Sequence, residues 1–223
     1  MRVLFHQPLC PFSRKVRIVL AEKRIEADLR VEWPWERRPD FLALEPSGDV
    51  PVLVEDERLV LADATAIAEY LEETHPEIRL LPATPEARAE VRRLAGLFDG
   101  RFYREVTAPI LAEKAIKRMS GGAAPPDSGA IRSAYAAIHG HLDQLAGLAD
   151  QRSWLAGPEL TLADITAAAH LSCLDYLGDV PWDRHPEARA WYSRIKSRPS
   201  LAPLLADRLP SIPPSRHYAD RDF

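Results

Sequence analysis

The period of the hydrophobic pattern changes near Pro76, and this change limits the folds that the chain can adopt. Before Pro76, apolar runs of strand length alternate with helical stretches in the order strand–helix–strand, then strand–strand–helix. After it, apolar residues recur at helical spacing. The pattern predicts an α/β domain over residues 1–78, a linker over 79–86, an all-α domain over 87–210 and an extended tail over 211–223.

Composition and charge argue against several classes of function. The 223 residues carry a net charge of −4, which gives no reason to expect nucleic-acid binding. No apolar stretch reaches the roughly 20 residues that a spanning helix needs, so no membrane insertion is expected. The two cysteines, Cys10 and Cys173, are far apart in the sequence, so no disulfide framework is expected. A reducing cytoplasm is the simplest setting for such a chain. The seven histidines form no metal motif, and His139 and His141 are predicted to lie on the surface.

The segment that begins at Cys10 is the strongest chemical signal in the chain. Pro11 follows it at a position where proline favours the first turn of a helix. Partial positive charge at a helix N-terminus lowers the pKa of a thiol, so a catalytic Cys10 is one interpretation, with Ser13 as the alternative hydroxyl. The other interpretation is a thiol without a catalytic role. Cys173, in an alanine-rich stretch, is predicted to be a buried apolar residue.

Four separated motifs resemble the glutathione S-transferase superfamily. They occupy residues 10–17, 46–53, 63–71 and 154–164. The resemblance implies a thioredoxin-like α/β N-terminal domain plus an all-α C-terminal domain, the glutathione S-transferase fold, assembled as a homodimer. Within the last motif, the residue types themselves predict a capping box, in which Thr161 and Asp164 cap the start of a helix.

The resemblance also places a glutathione subsite at Val50, Pro51, Asp63 and Ala64, with a cis bond before Pro51. The superfamily has a serine where this chain has Ala64, and a lost hydrogen bond to a charged group costs about 1.5–3 kcal/mol. Asp49 adds a carboxylate that would repel the anionic tripeptide. No cofactor is therefore expected, and glutathione is expected only if the protein is an enzyme.

Three further segments, residues 33–39, 174–182 and 213–223, resemble a narrower group in this superfamily, the glutathione-transferase-like cell-division proteins that bind FtsZ. This resemblance implies a non-catalytic regulator in the cytoplasm at the division site. Its partners would be the FtsZ polymer and a second copy of the chain, and it would link FtsZ filaments to wall synthesis.

The loop and the tail supply the residues predicted to contact that partner, because aromatic and arginine side chains are common in binding hot spots. The predicted contact residues are Trp33, Trp35, Arg37, Arg38, His217, Tyr218, Asp220, Arg221, Asp222 and Phe223. The alternative for the tail is that it folds back over its own thioredoxin-like domain. The alternative for the loop is that its tryptophans are buried.

Two other functions stay open at this point. The first is a glutathione S-transferase or glutathione-dependent thiol reductase that uses Cys10. The second is a small-molecule-binding protein, for which no residue indicates the ligand.

Overall fold

The computed structural model of the protein describes residues 1–56 and 58–220. It divides into two compact units, Met1–Arg79 and a second that begins at Leu80. The fold class predicted from the sequence is confirmed, since the first unit is a small mixed sheet with helices and the second is helical. The predicted limits of the linker and the tail stay predictions.

The first unit is built on a four-stranded sheet in the order β2-β1-β3-β4. The strands are β1 (Arg2–His6), β2 (Asp28–Val31), β3 (Val52–Glu55) and β4 (Leu59–Ala62). β2 runs parallel to β1, whereas β3 is antiparallel to both β1 and β4. β2 and β4 are therefore the two edge strands of this sheet.

Three helices accompany the sheet: α1 (Pro11–Glu22), α2 (Pro39–Leu44) and α3 (Ala64–Thr74). α1 begins at Pro11, as the sequence predicts, and Cys10 is its N-cap. At the other end of α1, the Lys23 ammonium donates hydrogen bonds to the carbonyls of His75 (2.9 Å) and Ile78 (2.7 Å). These bonds join the C-terminal end of α1 to the residues that follow α3.

The second unit begins with a helical run that changes its winding. Its segments are α4 (Pro85–Gly96), a π-wound stretch (Leu97–Thr107), α5 (Ala108–Leu111), a second π-wound stretch (Ala112–Ile116) and α6 (Lys117–Met119). The remaining helices are α7 (Ser128–Gln151), α8 (Leu162–Leu177), α9 (Pro186–Lys196) and α10 (Ala202–Leu205). Short 3₁₀ turns occupy Pro34–Glu36, Trp182–Arg184 and Pro199–Leu201.

α8 is the core of the second unit, because every residue from Leu162 to Tyr176 is buried. The predicted capping box is confirmed: the Thr161 hydroxyl accepts from the backbone, and Asp164 accepts from the backbone N–H of Thr161 at 3.1 Å. The helix ends at Gly178, whose φ of +75° is the left-handed conformation that glycine adopts without strain.

The prediction that His141 lies on the surface is wrong. His141 is 8% exposed, its ring meets that of Phe102 edge-on at 5.1 Å, and its Nε2 lies 2.8 Å from Glu105 Oε2. His139 is only partly buried, and its Nδ1 lies 2.8 Å from Nε2 of His185. Because His139 and His141 are two residues apart on α7, the sequence correctly places them on different faces of the helix. It does not show that Phe102 and Glu105 pack against the face that carries His141.

Candidate functional site

Cys10 lies at the start of α1 with few polar contacts. Its Sγ accepts from the backbone N–H of Ser13 at 3.5 Å and lies 3.7 Å from the carbonyl oxygen of Val50. The bond between Val50 and Pro51 is cis, as the resemblance implies. The structure thus brings together Cys10 and the first two residues of the predicted glutathione subsite, all within the first unit.

The backbone N–H groups at the start of α1 do lower the pKa of Cys10, but the net pKa is raised and not lowered as expected. Burial raises the pKa of the Cys10 thiol, and this effect outweighs the lowering by the hydrogen bonds from Ser13 and Phe12 and by the charge of Arg14. A thiol with a raised pKa is protonated at neutral pH and is a poor nucleophile. The geometry therefore gives the catalytic interpretation of Cys10 less support than the sequence did.

Ser13, the alternative catalytic residue, is fully buried. Its hydroxyl accepts a hydrogen bond from the backbone N–H of Gln7 at 3.2 Å. This contact fixes the turn between β1 and α1, so the hydroxyl has a structural partner. A base beside Ser13 would be needed to activate it, and no described contact supplies one.

The start of α3 holds the other half of the predicted subsite. The Asp63 carboxylate accepts from the backbone N–H groups of Thr65 (2.7 Å) and Ala66 (3.1 Å) and so caps the helix. A bound carboxylate at this helix end would have to compete with Asp63 for positive potential. Ala64 is buried and its methyl group donates no hydrogen bond. As predicted, this position lacks the side-chain donor of the superfamily serine.

The loop after β2 presents two stacked indoles. The rings of Trp33 and Trp35 lie 5.1 Å apart with an interplanar angle of 26°, and both side chains are partly buried. Arg38 reaches the buried carboxylate of Glu32 at 2.5 Å, while Arg37 donates to the carbonyl of Ser47 at 2.7 Å. Arg37 and Arg38 therefore hold the loop in place. Trp33 and Trp35 are neither fully exposed nor fully buried, so neither alternative for them applies.

The described part of the tail packs within the second unit, and this corrects the expectation for Tyr218. Tyr218, predicted as a partner-binding anchor, is 0% exposed and its hydroxyl donates to the carbonyl of Leu204 at 2.9 Å. Its ring meets Tyr176 of α8 at 5.0 Å, and the Tyr176 hydroxyl donates to the carbonyl of Ile212 at 2.7 Å. A buried ring cannot serve as a surface anchor, so Tyr218 is a core residue.

Asp175 of α8 holds this tail in place, and the sequence did not identify it. Its Oδ1 accepts from Trp182 Nε1 and lies near His217 Nε2, both at 3.0 Å. Its Oδ2 lies 3.0 Å from the ammonium of Lys196, and both side chains are fully buried. The available signal was a second carboxylate, well inside a helix with few charged residues, since buried charges are kept only where they are paired.

Two other described residues of the tail, His217 and Asp220, differ in their exposure. His217 is partly exposed, and its carbonyl accepts from Lys196 Nζ at 3.1 Å, whereas Asp220 is exposed. Burial lowers the pKa of Lys196, opposed by the charges of Asp175 and Asp220. Arg221, Asp222 and Phe223 lie outside the described residues.

The described residues also bear on two other kinds of site. Within residues 1–56 and 58–220, no group of three or more His, Cys, Asp or Glu side chains is arranged to hold a metal ion. No helix of the same residues is long and apolar enough to cross a membrane.

Comparison with known families defines the class. Residues 9–74 match the family description "Glutathione S-transferase, N-terminal domain", and residues 125–199 match "Glutathione S-transferase, C-terminal domain". The chain belongs to the glutathione S-transferase superfamily, and the resemblance drawn from its motifs is confirmed.

Individual relatives show which members of this superfamily the chain is similar to. The chain is 46% identical to FtsZ-localized protein A of Caulobacter vibrioides (strain NA1000 / CB15N) over 226 residues, which covers 100% of this chain and 98% of that protein. The structure of FzlA from C. crescentus superimposes with a TM-score of 0.96 at 46% identity, covering 100% of this chain and 99% of that one. A glutathione S-transferase from Rhodospirillum rubrum F11 superimposes with a TM-score of 0.98 at 53% identity over 100% of both chains.

Proposed function

We propose that this protein is a non-catalytic regulator of cell division that binds FtsZ filaments and links them to wall synthesis at the division site. The observation that carries the proposal is the full-length similarity to FtsZ-localized protein A, at 46% identity. The protein acts in the cytoplasm as a homodimer, and its partner surface includes the loop of Trp33 and Trp35 and the last residues of the tail.

The thiol site supports a non-catalytic role. The raised pKa of Cys10 leaves the thiol protonated at neutral pH. Ala64 provides no hydroxyl for a bound carboxylate, and Asp63 occupies the helix amides beside it. Tight glutathione binding would have to be achieved without these interactions, which are typical anion contacts at a helix N-terminus.

Co-sedimentation with GTP-polymerised FtsZ tests the proposal. We expect the intact chain to pellet with the polymer and the Trp35→Ala variant to bind at least about tenfold more weakly, as for a hot-spot aromatic. Trp154→Ala is the matched control, because Trp154 is also partly buried but lies under the guanidinium of Arg194 in the second unit. An intact chain that stays in the supernatant would refute the FtsZ proposal. Equal loss in both tryptophan variants would refute the loop as its surface.

The end of the tail is tested with a chain that stops at Asp220. This truncation removes Arg221, Asp222 and Phe223 and keeps every described contact of Tyr218 and His217. We expect weaker co-sedimentation with an unchanged melting temperature. Full binding by the truncated chain would show that the last three residues are not part of the surface.

A glutathione S-transferase or thiol reductase is the second candidate. The observation in its favour is the placement of Cys10 as the N-cap of α1, beside the carbonyl of Val50. Calorimetric titration with reduced glutathione up to millimolar concentration distinguishes the two candidates. We expect no heat of binding, whereas micromolar affinity would place the enzyme first.

A further inference from the structure

The edge strand β2 exposes apolar side chains that the proposed function does not use. Among the described residues β2 pairs only with β1, and all four of its residues are exposed. Leu29 is 44% exposed and Val31 48%. An exposed apolar edge strand is a template for pairing with another chain, and proteins usually protect such edges.

The backbone of β2 is directed so that this edge can pair. The N–H of Glu32 donates to the carbonyl of His6 at 2.9 Å, so residue 32 faces β1. In a parallel ladder alternate residues bond to the neighbouring strand, and Arg30 therefore faces β1 as well. The N–H and C=O groups of Leu29 and Val31 consequently point to the open edge.

The charges on the strand are arranged symmetrically about Leu29. Asp28 and Arg30 flank it, and Arg30 Nε lies 2.9 Å from Asp28 Oδ2. If a second copy pairs antiparallel with Leu29 opposite Leu29, Asp28 of each chain lies opposite Arg30 of the other. The apolar face then aligns Ala27 and Val31 across the pair. Parallel in-register pairing would instead place like charges opposite each other, which is destabilising.

We propose that β2 is a self-association edge, whose occupant is β2 of a second copy in antiparallel register about a two-fold axis at Leu29. The pairing joins two four-stranded sheets into one. A strand of four residues covers much less than the roughly 1,000 Å² of a stable interface, so the contact is weak. It becomes populated where copies are held close together, because a second contact between tethered chains is effectively intramolecular. The contact does not depend on FtsZ binding.

Cysteine cross-linking tests the register. Directly opposed residues that exchange both backbone bonds have Cα atoms about 5.5 Å apart, within the roughly 4.4–6.8 Å of a disulfide. We expect Leu29→Cys to form a disulfide-linked dimer under mild oxidation. Val31→Cys is the matched control, with similar exposure and backbone direction, but its two copies lie more than ~13 Å apart in this register. The Leu29→Cys product should form at least about tenfold faster.

Charge variants test the partner. In the Leu29→Cys chain, Asp28→Arg leaves two cations on the strand and Arg30→Asp leaves two anions. We expect each variant alone to lose the cross-link and an equimolar mixture of the two to recover it, because opposite charges then face each other. The unsubstituted chain controls for reaction at Cys10 and Cys173, and peptide mapping identifies the linked residues. Circular dichroism and melting curves verify that each variant is folded.

Three results would overturn the proposal: no cross-link with Leu29→Cys, equal rates for Leu29→Cys and Val31→Cys, or no recovery in the mixture. Sedimentation of the unsubstituted chain reports the expected homodimer separately. A dimer by mass that lacks the Leu29→Cys cross-link would keep the homodimer and reject the β2 contact. FtsZ co-sedimentation by the reduced Leu29→Cys chain would leave the proposed function intact in either case.

Discussion

Cys10 in the first unit and Asp175 in the second are both ionisable groups beside a helix end, yet their surroundings differ sharply. The Cys10 sulfur has weak partners, at 3.5 Å from the N–H of Ser13 and 3.7 Å from the carbonyl of Val50. Asp175 has Trp182, His217 and Lys196 at 3.0 Å. A neutral thiol can be buried at little cost, whereas a buried carboxylate needs a full set of donors.

The difference shows where each unit uses its polar groups. In the second unit the carboxylate, the ammonium of Lys196 and the ring of His217 hold the tail to α8, so their chemistry maintains the fold. In the first unit Cys10 has the most nucleophilic type of side chain, but the pKa of its thiol is raised. Activation would require stronger donors to the thiolate than this turn supplies.

The largest expected effect comes from breaking the Asp175 cluster. Asp175→Asn leaves Lys196 charged and buried without its counter-ion, which should lower the free energy of unfolding by about 3–5 kcal/mol. Asp183→Asn is the control, because Asp183 is almost fully exposed and its ion pair with Arg189 spans 3.9 Å. Urea unfolding measures both variants. Equal small losses would show that Asp175 is not the centre of the cluster.

A smaller effect is expected on the tail side of the same cluster. Tyr218→Phe keeps the ring against Tyr176 but removes one of the donors to the buried carbonyl of Leu204, which still accepts from the backbone N–H of Asp207 at 3.1 Å. The expected cost is that of one hydrogen bond, about 0.5–1.5 kcal/mol. Tyr70→Phe, at a partly exposed position of α3, serves as the control. An unchanged unfolding midpoint for Tyr218→Phe would contradict the docking of the tail seen here. Deletion of residues 211–223 should likewise destabilise the unit, so the shorter truncation after Asp220 is the sharper binding test.

The capping box at the start of α8 gives a third test. Thr161→Ala removes the cap and should cost about 1 kcal/mol, whereas Thr161→Ser keeps the hydroxyl and should cost much less. Thermal unfolding of the two variants separates the hydroxyl from the methyl group. A loss in the serine variant as large as that in the alanine variant would mean that packing of the methyl group outweighs the cap.

The smallest effect concerns Cys10 and depends on pH. Because the thiol pKa is raised in the folded protein, the unfolded chain loses this proton first as the pH rises. The stabilising contribution is complete below the ordinary thiol pKa and is lost as the pH rises from there through the raised pKa of the folded protein. Cys10→Ser, which keeps a capping oxygen, should therefore lose less stability between pH 7 and pH 10 than the unsubstituted chain. A steeper loss in the serine variant would contradict burial as the cause of the raised pKa.

The sequence predicted the parts of this fold that local pattern controls. The spacing of Ile67, Tyr70 and Leu71 predicts a helix from about Ala64 to Thr74, and α3 runs over those residues. The β3–β4 pairing follows from two apolar runs separated by an acidic turn. The thioredoxin-like order of elements, and with it the placement of Cys10 as a helix N-cap, was thus available from the chain itself.

Contacts between distant residues were not available in the same way. Burial of His141 depends on Phe102, and burial of Tyr218 depends on Tyr176, each of them far away in the chain. The pKa of Cys10 was misjudged for the same reason, because the helix N-terminus is visible in the sequence but the burial that outweighs it is not. The sequence pattern identifies side chains that are able to react, such as the Cys10 thiol, whereas tertiary packing determines their protonation state and therefore their reactivity.

Gly178 has a consequence for how this sequence can diverge. Helix ends in the left-handed conformation are ordinarily filled by glycine or, as second choice, asparagine. Here a Cβ at position 178 would lie 3.2 Å from Cβ of Ser215, closer than side chains usually approach. In a lineage that keeps this tail, asparagine at the end of α8 requires Ser215 to move by a few tenths of an ångström, whereas a lineage that loses the tail needs no such shift. The two features should be inherited together.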